Sequence, residues 1–327
     1  MSREKIKPRL VIIVGPTGVG KTDVAIKLAG ELGGEIIGAD SMQVYRYMDI
    51  GTAKPTWKER SAVKHHLIDM VNPDEAFNAA MFVEEAGKVI ETLDRMEKPI
   101  FVVGGTGLYI RALLGGLFAG PGADEDLRKF YRQEVARHGK RYLYEKLKVK
   151  DERAAAMIEE NDVTRIIRAL EVVELTGESI LDKQKAHHFG NSLYECIKIG
   201  LMMKRDQLYA KIEQRMERMI EDGFADEVRS LLDMGYDETL NPMRSLGYKY
   251  MVGCLYGMYS LPEAIGLIKR DTRRYAKRQL TWFRAERDVE WFSYDDVYAM
   301  QRRMGEFLGV VGPRRQNFLT SKGYGDN

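Results

Sequence analysis

Cysteine is nearly absent. The 327-residue chain holds two, Cys196 and Cys254. They are far apart and fit no C-x-x-C spacing, which argues against a disulfide framework or a cysteine-built zinc site and suits a reducing cytoplasm. No stretch approaches 18 uncharged apolar residues, so no membrane span is expected. Residues 1–9 are polar and lack the apolar segment of a signal peptide. Neither sign of charge dominates: 51 Lys and Arg stand against 49 Asp and Glu, a formal net charge of +2. Bulk charge therefore points to no partner, and a basic surface must be sought locally. No internal repeat is visible. With 44% hydrophobic and 31% charged residues, the composition is that of an ordinary globular protein.

Through the first third, short apolar runs alternate with helical patterns. Residues 10–14 (LVIIV) are largely β-branched and unbroken, as in a strand buried on both faces. A glycine-rich turn and a helical pattern follow, up to Gly33 and Gly34. Residues 35–39 (EIIGA) read as a second strand ending at Asp40, and residues 65–71 as a third. Residues 79–96 have the period of an amphipathic helix, and residues 99–103 (PIFVV) form another buried strand before Gly104 and Gly105. The alternation predicts a doubly wound α/β core, a parallel sheet covered on both faces, which the phosphate motif described next makes P-loop NTPase-like. Residues 115–122 then hold four glycines and Pro121, and from about 124 to 181 only helical periodicity remains. Residues 196–202 (CIKIGLM) look like a returning strand. The expected organisation is a discontinuous core of residues 1–118 and 196–311, with a helical insertion over 119–195. Long helices resume over 206–284, residues 289–292 make a last strand, and the polar residues 312–327 are expected to be disordered.

Gly15, Pro16, Thr17, Gly18, Val19, Gly20, Lys21 and Thr22 fit G-x-x-x-x-G-K-[ST], between a predicted strand and a predicted helix. In that setting backbone N–H groups turn onto an anion, the lysine adds a mobile cation, and the Thr22 hydroxyl is a ligand for magnesium. The motif indicates a phosphate group, not a particular nucleotide. The strand before Gly104 carries no acidic residue of the hydrolytic kind, and no N-K-x-D run marks guanine recognition. The phosphate is thus open to being a leaving group on something other than ATP.

Further blocks are more specific. Asp40-Ser-Met-Gln-Val-Tyr-Arg46 is followed by Met48-Asp-Ile-Gly-Thr-Ala-Lys-Pro55, His65-His-Leu-Ile-Asp69, Gly104-Gly-Thr-Gly-Leu-Tyr109 and Arg168-Ala-Leu-Glu-Val172. Leu246-Gly-Tyr-Lys249 and Tyr275-Ala-Lys-Arg-Gln-Leu-Thr-Trp-Phe-Arg284 come later. With the P-loop, and in this order from about residue 10 to 292, they resemble the bacterial tRNA dimethylallyltransferases, also called tRNA isopentenyltransferases. The resemblance implies transfer of a dimethylallyl group from dimethylallyl diphosphate to the exocyclic amine of the adenosine 3′ of the anticodon. It implies magnesium, a tRNA anticodon stem-loop as partner, and a cytoplasmic monomer. On matching residues it makes Gly15 to Thr22 the diphosphate site, with Thr17 at the leaving group. Asp40 resembles the general base, and Arg215 an arginine that holds the diphosphate. It places tRNA contacts on Asp40, Ser41, Met42, Gln43, Thr106 and Arg128. Further contacts fall on Thr164, Arg165, Ile166, Ile167 and Arg168, and on Arg244, Ser245, Leu246, Gly247, Tyr248 and Lys249. The last group is Lys277, Arg278, Gln279, Leu280, Thr281, Trp282, Phe283 and Arg284. Two departures are Thr164, where many members have glutamine, and Tyr250, where many have an acidic residue or glutamine.

The residues themselves fit that chemistry without singling it out. Adenine's exocyclic amine is a poor nucleophile that needs a base nearby, and Asp40 ends a strand at the ligand-binding edge of the sheet. Position alone splits Asp40 evenly between that base and a helix cap or a carboxylate in the outer shell of a magnesium ion. Arg215 sits among Glu213, Glu217 and Arg218, and spacing alone makes it an ordinary solvated charge. Residues 268–284 carry seven basic residues against the single Asp271, with Tyr275, Trp282 and Phe283 interleaved. Arg270, Arg273 and Lys277 share a helical face, with Arg274 and Arg278 beside it. Such a stripe suits RNA backbone and splayed bases, though a solvated helix face is the plain alternative. His65–His66 and His187–His188 are adjacent pairs whose side chains diverge, so neither reads as a metal site. An ATP-dependent small-molecule or nucleotide kinase would explain the first 110 residues but not the basic helix or the Asp40–Gln43 block, and a non-catalytic RNA-binding or ATP-switch protein would leave tRNA mass unchanged.

Overall fold

The structure is a computed structural model that describes residues 7–117, 120–186, 193–286 and 288–309. The polar tail expected over 312–327 and the His187–His188 pair lie outside the described residues. Strand β1 (Arg9–Val14) leads into α1 (Lys21–Glu31) and β2 (Glu35–Gly38). Next come α2 (Trp57–Ala62), β3 (His65–His66), α3 (Ala79–Arg95), β4 (Ile100–Gly104) and α4 (Gly107–Gly115). Five helices follow: α5 (Glu125–His138), α6 (Lys140–Lys150), α7 (Glu152–Met157), α8 (Val163–Thr176) and α9 (Ile180–Ala186). The sheet resumes with β5 (Glu195–Met202), then α10 (Arg205–Glu221), α11 (Phe224–Asp233), α12 (Tyr248–Leu255), α13 (Leu261–Arg284), β6 (Val289–Ser293) and α14 (Val297–Leu308).

The chain divides into two compact units, Met1–Leu114 with Leu193–Asn327, and Gly115–Ser192. In the first, six strands form one parallel sheet in the order β3-β2-β4-β1-β5-β6. Central β1 pairs with β4 on one side and β5 on the other. Its alternate residues serve two cores: Val11 and Ile13 join one cluster with Ala25 and Leu28 of α1, while Leu10, Ile12 and Val14 join another with Phe82 and Ile90 of α3. This is why the run reads as unbroken apolar sequence. The P-loop follows β1, Asp40 follows β2 and Gly105 follows β4. All three therefore stand at the carboxyl edge of the sheet, where doubly wound folds bind ligands. A third core, with Val44, Met48, Phe224, Tyr248 and Met251, gathers α10 to α13 against the chain beyond β2.

Three elements differ from expectation. The strand expected over 65–71 pairs with β2 only at His65 and His66. Leu67 (φ 61°) and Asp69 (φ 56°) then turn left-handed, which extended backbone cannot continue through. Helix α2 buries no side chain, so it leaves no amphipathic period; its sequence signal is the capping box of Thr56 and Glu59. Helix α14 was also unforeseen. It buries Met300 and Met304, four residues apart, after the N-cap Asp296.

The second unit is helical, with a core of Tyr131, Leu143, Leu147, Ile166 and Leu170. At its centre Glu171 is fully buried. Its carboxylate accepts from Arg128 Nε at 2.8 Å, from Arg128 Nη2 at 3.0 Å, from the Asp124 N–H at 2.8 Å and from Arg168. Burial alone would raise the Glu171 pKa, but these hydrogen bonds hold it below the ordinary carboxylate value.

Candidate active site

A cavity of about 740 Å³ opens at the carboxyl edge, lined by the P-loop, Asp40, residues of the 49–60 segment, Gly104, Gly105 and the inner faces of α10 and α13. At its floor α1 starts without a side-chain cap, so its first N–H groups are left for an anion. Lys21 Nζ folds back onto the carbonyls of Gly15 and Pro16, at 3.0 and 2.9 Å. Burial draws the Lys21 pKa down from 10.5 to about 8; Asp40 opposes that shift and Arg215 adds to it. An anionic ligand beside it would raise that pKa again.

Arg215, which spacing alone left as a solvated charge, is turned inward. Its Nη1 donates to Thr17 Oγ1 and its Nη2 to the Thr52 carbonyl, each at 3.5 Å. Burial lowers its pKa, against the pull of Asp40 and Asp23. Asp40 caps a turn, where a helix cap was the alternative expected of it. Its Oδ1 accepts the N–H groups of Met42 (2.8 Å) and Gln43 (3.3 Å) and so caps the turn. Among the described residues its Oδ2 has no hydrogen-bond donor, and Asp40 lines the cavity. Beside it the Ser41 N–H donates to Thr106 Oγ1 at 3.2 Å.

Several residues assigned to tRNA contact by resemblance have inward-facing side chains. Gln279 is buried; its Oε1 accepts the Thr17 N–H at 2.8 Å and its Nε2 donates to the Gly105 carbonyl at 3.0 Å. It thus ties α13 to the P-loop. Gly105 must be glycine for this, because a Cβ there would lie 2.2 Å from Gln279 Nε2. Phe283 and Tyr248 are core, as are Ile166 and Ile167 in the helical unit. The helical period turns these side chains away from solvent, so any contact they make with RNA would be through the segments they anchor. Gln43 Nε2 is committed to the carbonyls of Thr52 and Ala53, at 3.2 and 3.1 Å.

What remains exposed is mostly basic. Lys277, Arg278, Thr281 and Arg284 are exposed on α13, Arg244 and Lys249 precede and open α12, and Thr164 and Arg165 are exposed on α8. The α13 stripe is partly neutralised: Arg273 pairs with Glu213 at 2.7 Å, and Arg270 and Arg274 pair with Asp271 at 3.0 and 3.3 Å. Lys277 makes no ion pair among the described residues. Tyr250, the departure from the family pattern, donates its hydroxyl to Asp271. The hydrogen bond from Arg270, and then that from Tyr250, hold the Asp271 pKa down to about 2.

Sequence reasoning missed two supports of the cavity wall. The Lys54 side chain is only 1% exposed, and its Nζ donates to Asp49 and Asp69 at 2.6 Å each and to the Tyr45 carbonyl at 2.8 Å. Its place in the quoted 48–55 block was the available signal. Glu227, in no quoted block, accepts three backbone N–H groups of residues 49–51. His65 and His66 serve structure, on the Val63 carbonyl and on Glu35, at 2.7 Å each.

Known proteins resemble the chain along most of its length. Residues 43–286 match the IPP transferase family. The chain is 58% identical over 302 residues to tRNA dimethylallyltransferase 2 of Syntrophus aciditrophicus, covering 92% of this chain and 97% of that protein. It is 48% identical to the tRNA dimethylallyltransferase of Geobacter metallireducens, covering 89% and 94%. Among solved structures, the tRNA isopentenylpyrophosphate transferase of Bacillus halodurans superposes with a TM-score of 0.69 at 42% identity, over 93% of this chain and 97% of that one. A eukaryotic dimethylallyltransferase acting on tRNA gives 0.76 at 25% identity, over 91% and 78%. The chain belongs to the tRNA dimethylallyltransferase (IPP transferase) family.

Proposed function

We propose that the protein moves the dimethylallyl group of dimethylallyl diphosphate to the exocyclic amine of the adenosine 3′ of the anticodon in tRNA. The observation that carries this reading is convergence: the P-loop, Arg215 and Asp40 line one cavity, in a chain whose relatives are named for this activity. In the transfer the allylic C–O bond breaks, a C–N bond forms, the amine proton passes to Asp40 Oδ2, and diphosphate leaves. The uncapped start of α1, Lys21 and Arg215 meet the charge that gathers on the leaving group, so they act most strongly as the bond breaks. Asp40 lines the same cavity and takes the proton.

Thr22 offers a hydroxyl on the cavity wall beside Lys21, and no group of three acidic, histidine or cysteine side chains suited to a metal occurs among the described residues. The Thr22 hydroxyl fits magnesium, which a P-loop holds through its Ser or Thr oxygen together with phosphate and water. Bound there, magnesium would neutralise charge on the diphosphate.

The exposed cations of α13 and α8 give the RNA backbone its contacts in this reading, and the target base leaves its stack to reach the cavity. The protein works as a cytoplasmic monomer. No helix among the described residues is long and apolar enough to cross a membrane. The test is mass spectrometry of tRNA nucleosides after incubation with the protein, dimethylallyl diphosphate and magnesium. A dimethylallyl mass increment on adenosine supports the reading. Unmodified tRNA, with label from radioactive ATP passing instead to a small molecule, would replace it with a kinase.

A further inference from the structure

The loop over residues 49–54 walls the cavity, yet what fixes it comes from behind. Three consecutive N–H groups, of Asp49, Ile50 and Gly51, donate to the carboxylate of Glu227 at 2.8, 2.6 and 3.1 Å. The Tyr248 hydroxyl donates to the same carboxylate at 2.6 Å. Successive amides converging on one point form an anion-binding nest, and here the anion is a side chain of the protein itself. Its helix, α11, is anchored by buried Phe224, Val228 and Leu231. The loop is also pressed onto α11 and α12: a Cβ at Gly51 would lie 2.2 Å from the Phe224 ring and 2.6 Å from the Tyr248 ring.

The other side of the clamped turn faces the reacting groups. The Thr52 carbonyl accepts from Arg215 Nη2 at 3.5 Å and from Gln43 Nε2 at 3.2 Å, and the Ala53 carbonyl accepts from Gln43 Nε2 at 3.1 Å. One carboxylate thereby sets the carbonyl that aims the guanidinium, and the pair of carbonyls that hold the glutamine following Asp40.

We propose that Glu227 is a positioning residue for group transfer, acting on Arg215 through the 49–52 turn. The inference rests on the reading of the cavity as the prenyl diphosphate site. A guanidinium that must meet charge developing on a leaving group loses rate when misaligned, more than it loses ground-state binding. In Glu227→Gln, the carboxamide NH2 would face N–H donors, and a single oxygen would replace two acceptors.

The experiment measures kcat and KM for dimethylallyl diphosphate and an anticodon stem-loop, with unfolding midpoints as a check on the fold. Glu227→Gln should lower kcat about tenfold, with KM for the stem-loop changed less than about twofold. Tyr248→Phe, which deletes one of the four donors and keeps the ring, should lower kcat by about threefold and serves if Glu227→Gln does not fold. Each loss should shrink to less than about twofold when the same substitution is made in Arg215→Ala, because a residue acting through another has nothing left to position. A general loosening of the fold would instead give the same factor in both backgrounds, and that result overturns the proposal. So does a kcat within about twofold of wild type for the folded variants. Wild-type protein unable to transfer the dimethylallyl group would overturn the donor-site reading, and this inference with it.

Discussion

Raising the pH from 7 to 9 should weaken binding of dimethylallyl diphosphate about tenfold in the absence of tRNA. The reason is Lys21, whose pKa burial lowers from 10.5 to about 8. At pH 7 roughly nine-tenths of the free protein carries the charged lysine, and at pH 9 roughly one-tenth. A bound diphosphate raises the pKa again, since an opposing charge favours the ammonium. Binding above pH 8 therefore takes up a proton, so affinity is full below that pH and falls as pH rises through it. The ligand does not confound the window, because its phosphate titrates near 6. The effect of the same lysine on stability has the opposite sign. Between pH 8 and 10.5 the unfolded chain binds the proton and the folded chain does not, so the contribution of Lys21 to stability rises with pH. Calorimetry at fixed ionic strength, in buffers of different ionisation enthalpy, reads both affinity and proton uptake. Lys21→Arg keeps its charge across the range and should flatten the profile. An affinity unchanged between pH 7 and 9, or an equal fall in Lys21→Met, would refute the argument.

Other expectations follow from single contacts. Asp40→Asn should keep donor binding, because an amide oxygen still accepts the Met42 and Gln43 N–H groups, while single-turnover transfer falls by roughly two to four powers of ten; a rate within threefold of wild type removes the base role. Gln279→Leu strands the Thr17 N–H and the Gly105 carbonyl, at a cost of about 1–3 kcal/mol, and should show in chemical denaturation alongside weaker donor binding. Lys277→Ala should flatten the salt dependence of stem-loop binding by roughly one unit of slope, and Arg273→Ala by clearly less because Glu213 already pairs that arginine; equal slopes for the two would contradict this.

Much of the core was legible because its signals are local. The strand at residues 10–14 needed only its unbroken apolar run, and that run is continuous because β1 lies between β4 and β5 with both faces covered. The P-loop motif and Asp40 each follow a strand, so a parallel sheet brings them to one edge without further information. The strand over 65–71 failed for an equally local reason that composition does not display, the left-handed backbone at Leu67 and Asp69. Helix α2 lies on the surface with nothing buried, and periodicity is silent where no face is buried.

Side-chain roles within the family blocks were less legible, because a block marks where the chain matters and not which way each residue points. Lys277 and Gln279 are two residues apart on α13, which at 100° per residue puts them on nearly opposite faces. One is exposed and the other sits under the P-loop. Glu227 was hidden for a different reason. It acts on residues about 177 positions earlier, and a helix with acidic residues in its first turn is ordinary when read alone. Only the fold turns that charge onto the 49–51 amides. A carboxylate at positions 226 and 227 looks the same in sequence, yet Asp226 is exposed and pairs with Arg229 one turn along, whereas Glu227 faces the third core and holds the wall of the cavity.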